Sequence, residues 1–298
     1  MNLPGLLIIG GMKCGSTTLY RDLGTSPSIF FPLDKEPGNL TRDDVLTEGG
    51  LRAYASMFDN ARPGQICAEA STNYTKRPTF EGVAERAHRV LGSDLKLIYI
   101  IRNPRERISS HINHALANGE FTPAPQDQLI AAHPELLQYT AYAHQIEPWL
   151  DRFGTGNIRV VRFDDYTSNR RERCVQLWEW MGAEPNPDAI DEQRAFNASS
   201  SKPVAKGPFG WVPRNPVYRR VVRPMLSNAA RDRVRHALLP KNRVERVDIG
   251  DSLARVVIED LREEPGRMAS ISSECLLGPD VDWESWYMAN TPASEVQG

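Results

Sequence analysis

The residues best suited to chemistry begin with Gly10-Gly11-Met12-Lys13-Cys14-Gly15-Ser16-Thr17-Thr18. Gly10 and Gly15 permit a tight turn and close approach of the backbone to a ligand. From Ser16 the residues suit a helix, with Leu19 and Leu23 on one face. The first N–H groups of a helix have no intrahelical partner and sit at the positive end of its dipole. A glycine loop feeding a helix is therefore a site for phosphate or another anion. A second group lies in Arg102-Asn103-Pro104-Arg105-Glu106-Arg107-Ile108-Ser109-Ser110-His111. There Arg102 offers a planar donor fork that suits phosphate, and Ser110 a neutral hydrogen bond.

These residues need elements to hold them. Leu6-Leu7-Ile8-Ile9 is wholly apolar, the mark of a strand buried on both faces of a parallel sheet. Leu95 to Ile101 reads as a second central strand, which puts Arg102 at its carboxyl end, where open α/β sheets bind ligands. Asn103 suits an N-cap and Pro104 a first helical position. Further strands are expected over 66–71 and 157–163. Helical spacing runs through Leu51, Tyr54, Ala55 and Phe58, and over 80–91, 137–153 (with Pro148 inside), 170–181, 218–239 and 253–261. Residues 115–136 hold three prolines and a glycine and read as a loop-rich lid. The fold class is α/β, with a mostly parallel central sheet flanked by helices. With no internal repeat or convincing linker, residues 1–290 form a single domain and 291–298 a disordered tail.

Composition narrows the partners. The 298 residues are 40% hydrophobic and 25% charged with a net charge of -2, which gives no reason to expect nucleic acid or an anionic membrane as partner. No apolar run approaches membrane-helix length, and no charged leader precedes an apolar segment. The four scattered cysteines form no C-x-x-C pair, so the expectation is a reduced, cytoplasmic protein. His111 and His114 share a helix face, but nothing near them in sequence completes a metal set.

The place of the lysine sorts the phosphate ligands. In a nucleoside-triphosphate loop, G-x-x-x-x-G-K-[ST], lysine follows the second glycine; here Ser16 stands there and Lys13 lies inside the loop. Lys13-Cys14-Gly15-Ser16-Thr17 resembles the K-x-G-[ST]-[ST] loop of sulfotransferases that use 3′-phosphoadenosine 5′-phosphosulfate (PAPS). Arg102, Asn103, Pro104, Arg107 and Ser110 match the R-N-P-x-x-R-x-x-S motif that holds the 3′-phosphate in that family. The resemblance extends over nearly the whole chain and leans toward the glycan enzymes. Lys35-Glu36-Pro37 resembles their K-E-P segment, and Glu69 to Tyr74 their G-E-x-S-P-x-Y segment, with Gln65 and Thr72 replacing the glycine and proline. Leu276 to Trp283 resembles the closing L-x-G-x-D-x-x-W, and 196–207 a late loop that closes over the nucleotide.

What the resemblance implies is a P-loop-like fold and transfer of a sulfuryl group from PAPS to a hydroxyl of a small-molecule or glycan acceptor. Adenosine 3′,5′-bisphosphate is left as product, and no metal is needed. Lys13, Cys14, Gly15, Ser16, Thr17, Thr18, Arg102 and Ser110 would hold the cofactor, together with Lys202 and Lys206 of the late loop. Lys13 would also stabilise the departing charge, and Glu36 would be the general base, with His111 as substitute. A flexible surface loop fits Lys202 and Lys206 equally well. Glu69 suits either the acceptor pocket or a structural role, and Asp164 is read as structural or N-capping. The arginines between Tyr218 and Leu239 suit a solvated face or an anionic acceptor. A P-loop kinase or NTPase and a non-catalytic nucleotide-binding protein remain the alternatives.

Overall fold

Leu6-Leu7-Ile8-Ile9 and Leu97-Ile98-Tyr99-Ile100-Ile101 have no polar face to offer water, so each must be covered on both sides. In the computed structural model, which describes residues 1–193 and 248–289, they lie side by side at the centre of the sheet. β1 (Leu6–Gly10) pairs with β4 (Lys96–Ile101) in parallel, Leu7 beside Leu97 and Ile8 beside Ile98. β2 (Ile29–Phe30), β3 (Ile66–Ala70), β5 (Ile158–Arg162) and β6 (Leu276–Leu277) complete six parallel strands in the order β2-β3-β1-β4-β5-β6. Every residue of β1 is buried, and of β4 all but Lys96.

Parallel pairing needs long crossovers, and helices supply them. They are α1 (Ser16–Leu23), α2 (Glu48–Ser56), α3 (Val83–Leu91), α4 (Pro104–Asn118), α5 (Gln126–Ala132), α6 (Glu135–Gln138), α7 (Tyr142–Phe153), α8 (Phe163–Ser168) and α9 (Arg170–Met181). After these come α10 (Asp251–Asp260), α11 (Glu264–Ser272) and α12 (Trp283–Met288). The chain leaves β1 toward β2 and β3 but leaves β4 toward β5, so the two connections diverge. The crevice between their carboxyl ends is where sheets of this kind take ligands.

Residues 115–136 are not the open lid that their prolines suggest. α4 continues to Asn118 and stops at Gly119, whose φ of 68° is left-handed. Pro125 and Pro134 stand at the N-caps of α5 and α6, where a missing N–H costs nothing. Leu129, Ile130 and Leu136 then pack on Ile108, Ile112 and Ala115 in an apolar cluster of their own. The helix expected from residue 80 begins at Val83, after the left-handed Gly82. β2 and β6, two residues each, are too short to show any period. Lys202, Lys206, the segment 218–239 and the tail 291–298 lie outside the described residues.

The direction of α1 is set from its far end. Arg170 Nε and Nη2 donate to Asp22 Oδ2 and Oδ1 at 3.0 and 2.8 Å, and the Tyr166 hydroxyl donates to the same carboxylate. Trp178 Nε1 donates to the Leu23 carbonyl at 3.1 Å. The Asp22–Arg170 pair is buried, so Asp22→Ala strands a guanidinium in the interior. The expected loss is about 3–5 kcal/mol of stability, read as a lower urea midpoint.

Candidate active site

The loop after β1 requires glycine where the sequence places it. Gly15 has a φ of 92°, and a Cβ there would lie 2.5 Å from Phe163 Cδ2. The same Phe163 ring lies under the Arg102 guanidinium, 4.7 Å from the ring centroid, so one aromatic side chain joins the two anion-binding groups. The Cys14 N–H is taken by the Gly11 carbonyl at 3.2 Å, and those of Thr18 and Leu19 by the Gly15 carbonyl at 2.9 and 3.2 Å. The N–H groups of Gly15, Ser16 and Thr17 have no backbone acceptor among the described residues. Together they form the cradle expected for a phosphate.

Not all the loop residues face the crevice. Cys14 is fully buried with Sγ 3.8 Å from the Tyr142 hydroxyl, and burial pushes its thiol pKa up. It fills the space beneath the loop, its side chain and N–H both engaged. The Thr18 side chain is also buried, whereas Lys13 and Thr17 are half-buried. Lys13 has a φ of 69°, a strained backbone for a residue with a Cβ.

Glu36 is, among the described residues, the other non-glycine residue in left-handed conformation, with φ 67°. Its N–H donates to the Ala70 carbonyl at the end of β3 (2.9 Å). Its Oε2 accepts from the Thr72 N–H at 2.6 Å and from the Thr72 hydroxyl at 3.0 Å. Thr72 stands where the resembling segment has proline, and proline has no N–H to give. Oε1 pairs with Lys35 Nζ, which also reaches Ser16 Oγ at 3.4 Å. One lysine thus spans the carboxylate and the first turn of α1. The Glu36 side chain remains 31% exposed, open to a reactant.

At the end of β4, Asn103 caps α4 as expected, its side chain accepting from the Glu106 N–H at 3.4 Å. Its amide donates to the Trp286 carbonyl at 2.8 Å, and the Tyr142 hydroxyl donates to the Arg102 carbonyl at 2.5 Å. Arg102 pairs with Glu106 at 2.7 Å and keeps 25% of its side chain exposed. Ser110 follows on α4, half-buried.

Arg107 has a different task. It is fully buried and donates to the Met12 carbonyl at 3.2 Å, the Leu136 carbonyl at 2.7 Å, Thr140 Oγ1 at 2.9 Å and His111 Nδ1 at 3.0 Å. It braces the loop from behind. His111 is buried too, close to parallel with the Tyr139 ring. Burial, then the Arg107 charge, pushes its pKa down to about 2. The imidazole is therefore a neutral acceptor of Arg107.

Glu69 proves structural. It is buried, with one oxygen accepting from the Tyr74 hydroxyl at 2.5 Å and the other from Tyr54. Asp165 pairs with Arg173 at 2.6 Å, and Asp164 accepts from Trp286 Nε1 at 3.2 Å. Among the described residues no group of three His, Cys, Asp or Glu could hold a metal, and no helix is long and apolar enough to cross a membrane. Two residues that shape the site escaped the sequence reading, Phe163 and Thr72. Thr72 alone left a signal, as a departure from the resembling segment.

A parallel sheet thus carries an anion cradle after β1, an arginine after β4 and a carboxylate beside the cradle. The chain belongs to the sulfotransferase family, whose domain matches residues 3–208. It is 25% identical over 214 residues to the mouse (Mus musculus) heparan sulfate glucosamine 3-O-sulfotransferase 3B1, covering 68% of this chain and 52% of that one. It is 23% identical over 201 residues to the bifunctional heparan sulfate N-deacetylase/N-sulfotransferase 1 of Caenorhabditis briggsae, covering 60% and 23%. The chain thus spans about half or less of the length of these relatives. The crystal structure of a sulfotransferase from Alicyclobacillus acidocaldarius shares the fold, with a TM-score of 0.55, 23% identity, and coverage of 64% of this chain and 87% of that one.

Proposed function

We propose that this sulfotransferase moves a sulfuryl group from PAPS to a hydroxyl of a glycan or small-molecule acceptor, with Glu36 as general base. The observation that carries the reading is convergence at one crevice. The N–H cradle of Gly15, Ser16 and Thr17 lies across from Arg102, and Lys35 ties the Glu36 carboxylate to the same helix. In this reading the cradle takes the 5′-phosphate, while Arg102 and Ser110 take the 3′-phosphate.

The acceptor oxygen attacks sulfur, the sulfur–oxygen bond to the 5′-phosphate breaks, and its electron pair leaves on adenosine 3′,5′-bisphosphate. Glu36 receives the hydroxyl proton. The relatives named for heparan sulfate favour a glycan acceptor. A P-loop kinase fits less well, because Ser16 occupies the place of its lysine. A binding protein without catalysis would have no use for a strained, open carboxylate beside the cradle.

The direct test is incubation with labelled PAPS and a panel of glycan and small hydroxyl acceptors, with mass detection of an added sulfuryl group. The donor half is tested separately by calorimetry. Adenosine 3′,5′-bisphosphate is expected to bind without added metal, and Arg102→Ala to weaken it by about 1.5–3 kcal/mol, the scale of a charged hydrogen bond. Equal affinity for adenosine 5′-phosphate, which lacks the 3′ group, would remove the assignment.

A further inference from the structure

The 3₁₀ turn Thr72–Thr75, directly after β3, is anchored at three points. Thr72 holds Glu36, the Tyr74 hydroxyl donates to Glu69, and Thr75 Oγ1 donates to the Ile9 carbonyl near the end of β1 at 2.8 Å. Lys76 follows at once, so the turn that positions the carboxylate also fixes this lysine relative to the loop. Its Nζ donates to Asn73 Oδ1 at 2.7 Å and lies 5.9 Å from the centroid of the Tyr139 ring.

Among the described residues Lys76 forms no ion pair. Lys35 beside it does have a carboxylate, Glu36, as Arg170 has Asp22 and Arg173 has Asp165, whereas Arg107 is met by carbonyls, a hydroxyl and an imidazole. The strongest attractive charge on Lys76 is Glu36, followed by Glu120, while Arg107 and Lys35 repel it. Burial draws its pKa down to about 8. A half-buried ammonium met by an amide oxygen and a ring face, and paired with no carboxylate, has donors left for an incoming anion. In the reading above the donor phosphates are already served by the cradle and Arg102, which leaves Lys76 for another anion.

We propose that Lys76 is an acceptor-side anion contact: it takes an oxyanion of the acceptor, such as a carboxylate, near the hydroxyl that Glu36 deprotonates, and so selects anionic acceptors. The inference rests on the PAPS-dependent reading above and narrows its acceptor. It gives the lysine a role in specificity and leaves the transfer step to Glu36 and Lys13.

The test follows PAPS turnover on two acceptors, a glucuronate-containing oligosaccharide and the same oligosaccharide with its carboxylates methyl-esterified. Wild type, Lys76→Met and Lys76→Arg are compared, with adenosine 3′,5′-bisphosphate binding measured for each. The wild type is expected to favour the free carboxylate by about tenfold or more in kcat/KM, expressed in KM, the effect of one charged hydrogen bond. Lys76→Met is expected to abolish most of that preference with bisphosphate affinity unchanged, and Lys76→Arg to retain it. A wild type that binds the bisphosphate yet shows no preference, or uses neither oligosaccharide, overturns the inference. So does a Lys76→Met variant that loses both acceptors equally, or loses kcat alone. A wild type that does not bind the bisphosphate removes instead the donor assignment beneath it.

Discussion

Glu36→Gln is expected to lower the PAPS turnover rate by about 10²–10⁴ while leaving adenosine 3′,5′-bisphosphate affinity near that of the wild type. The amide keeps the shape of the side chain and can still accept from the Thr72 N–H and hydroxyl, so the turn and the left-handed backbone at Glu36 are not disturbed. What it loses is the capacity to take a proton, together with the Lys35 pairing, since the amide NH₂ that then faces Nζ can only donate. The geometry also names the atom concerned. A carboxylate oxygen has two lone-pair sites, and Thr72 occupies both on Oε2; Lys35 takes one on Oε1, leaving the other for the acceptor hydroxyl. Steady-state rates with labelled PAPS, beside calorimetry with the bisphosphate, separate chemistry from binding. A variant that turns over near the wild-type rate would place the base elsewhere.

The parts of this site legible in the sequence are those fixed by local geometry. Leu6 to Ile9 and Leu97 to Ile101 had to be central strands because neither offers a polar face. Gly15 had to be glycine for its turn, and Asn103-Pro104 announces a helix start through cap chemistry confined to a few residues. The rest depends on residues distant in the chain. Phe163 reaches Gly15 and Arg102 only because β5 pairs with β4, a contact that no spacing encodes. His111 looks like a base until α6 and Tyr139 cover it and Arg107 claims its nitrogen. The prolines of residues 115–136 suggest loops, since a proline at an N-cap and a proline that breaks a helix look alike before the packing of Leu129, Ile130 and Leu136 is known.

Lys13→Ala is expected to reduce the rate of sulfuryl transfer by about 10²–10³, the cost of removing one donor aimed at developing charge, with a much smaller loss in bisphosphate affinity. The backbone on both sides of the lysine is pinned. The Met12 carbonyl accepts from Arg107 at 3.2 Å, and the Cys14 N–H donates to the Gly11 carbonyl at 3.2 Å above a buried thiol. The strained φ of 69° at Lys13 is held between these two anchors, which makes its placement a feature of the rigid loop. Before transfer, the oxygen joining sulfur to the 5′-phosphate carries little charge; as the bond breaks, the charge grows where an ammonium in this loop would meet it. An interaction that strengthens along the reaction lowers the barrier more than it tightens the ground state. Single-turnover rates with PAPS, set against calorimetric affinity for the bisphosphate, read the two effects separately. A loss in rate no larger than the loss in affinity would make Lys13 an anchor for the nucleotide, leaving the backbone N–H groups of Gly15, Ser16 and Thr17 to meet the departing charge.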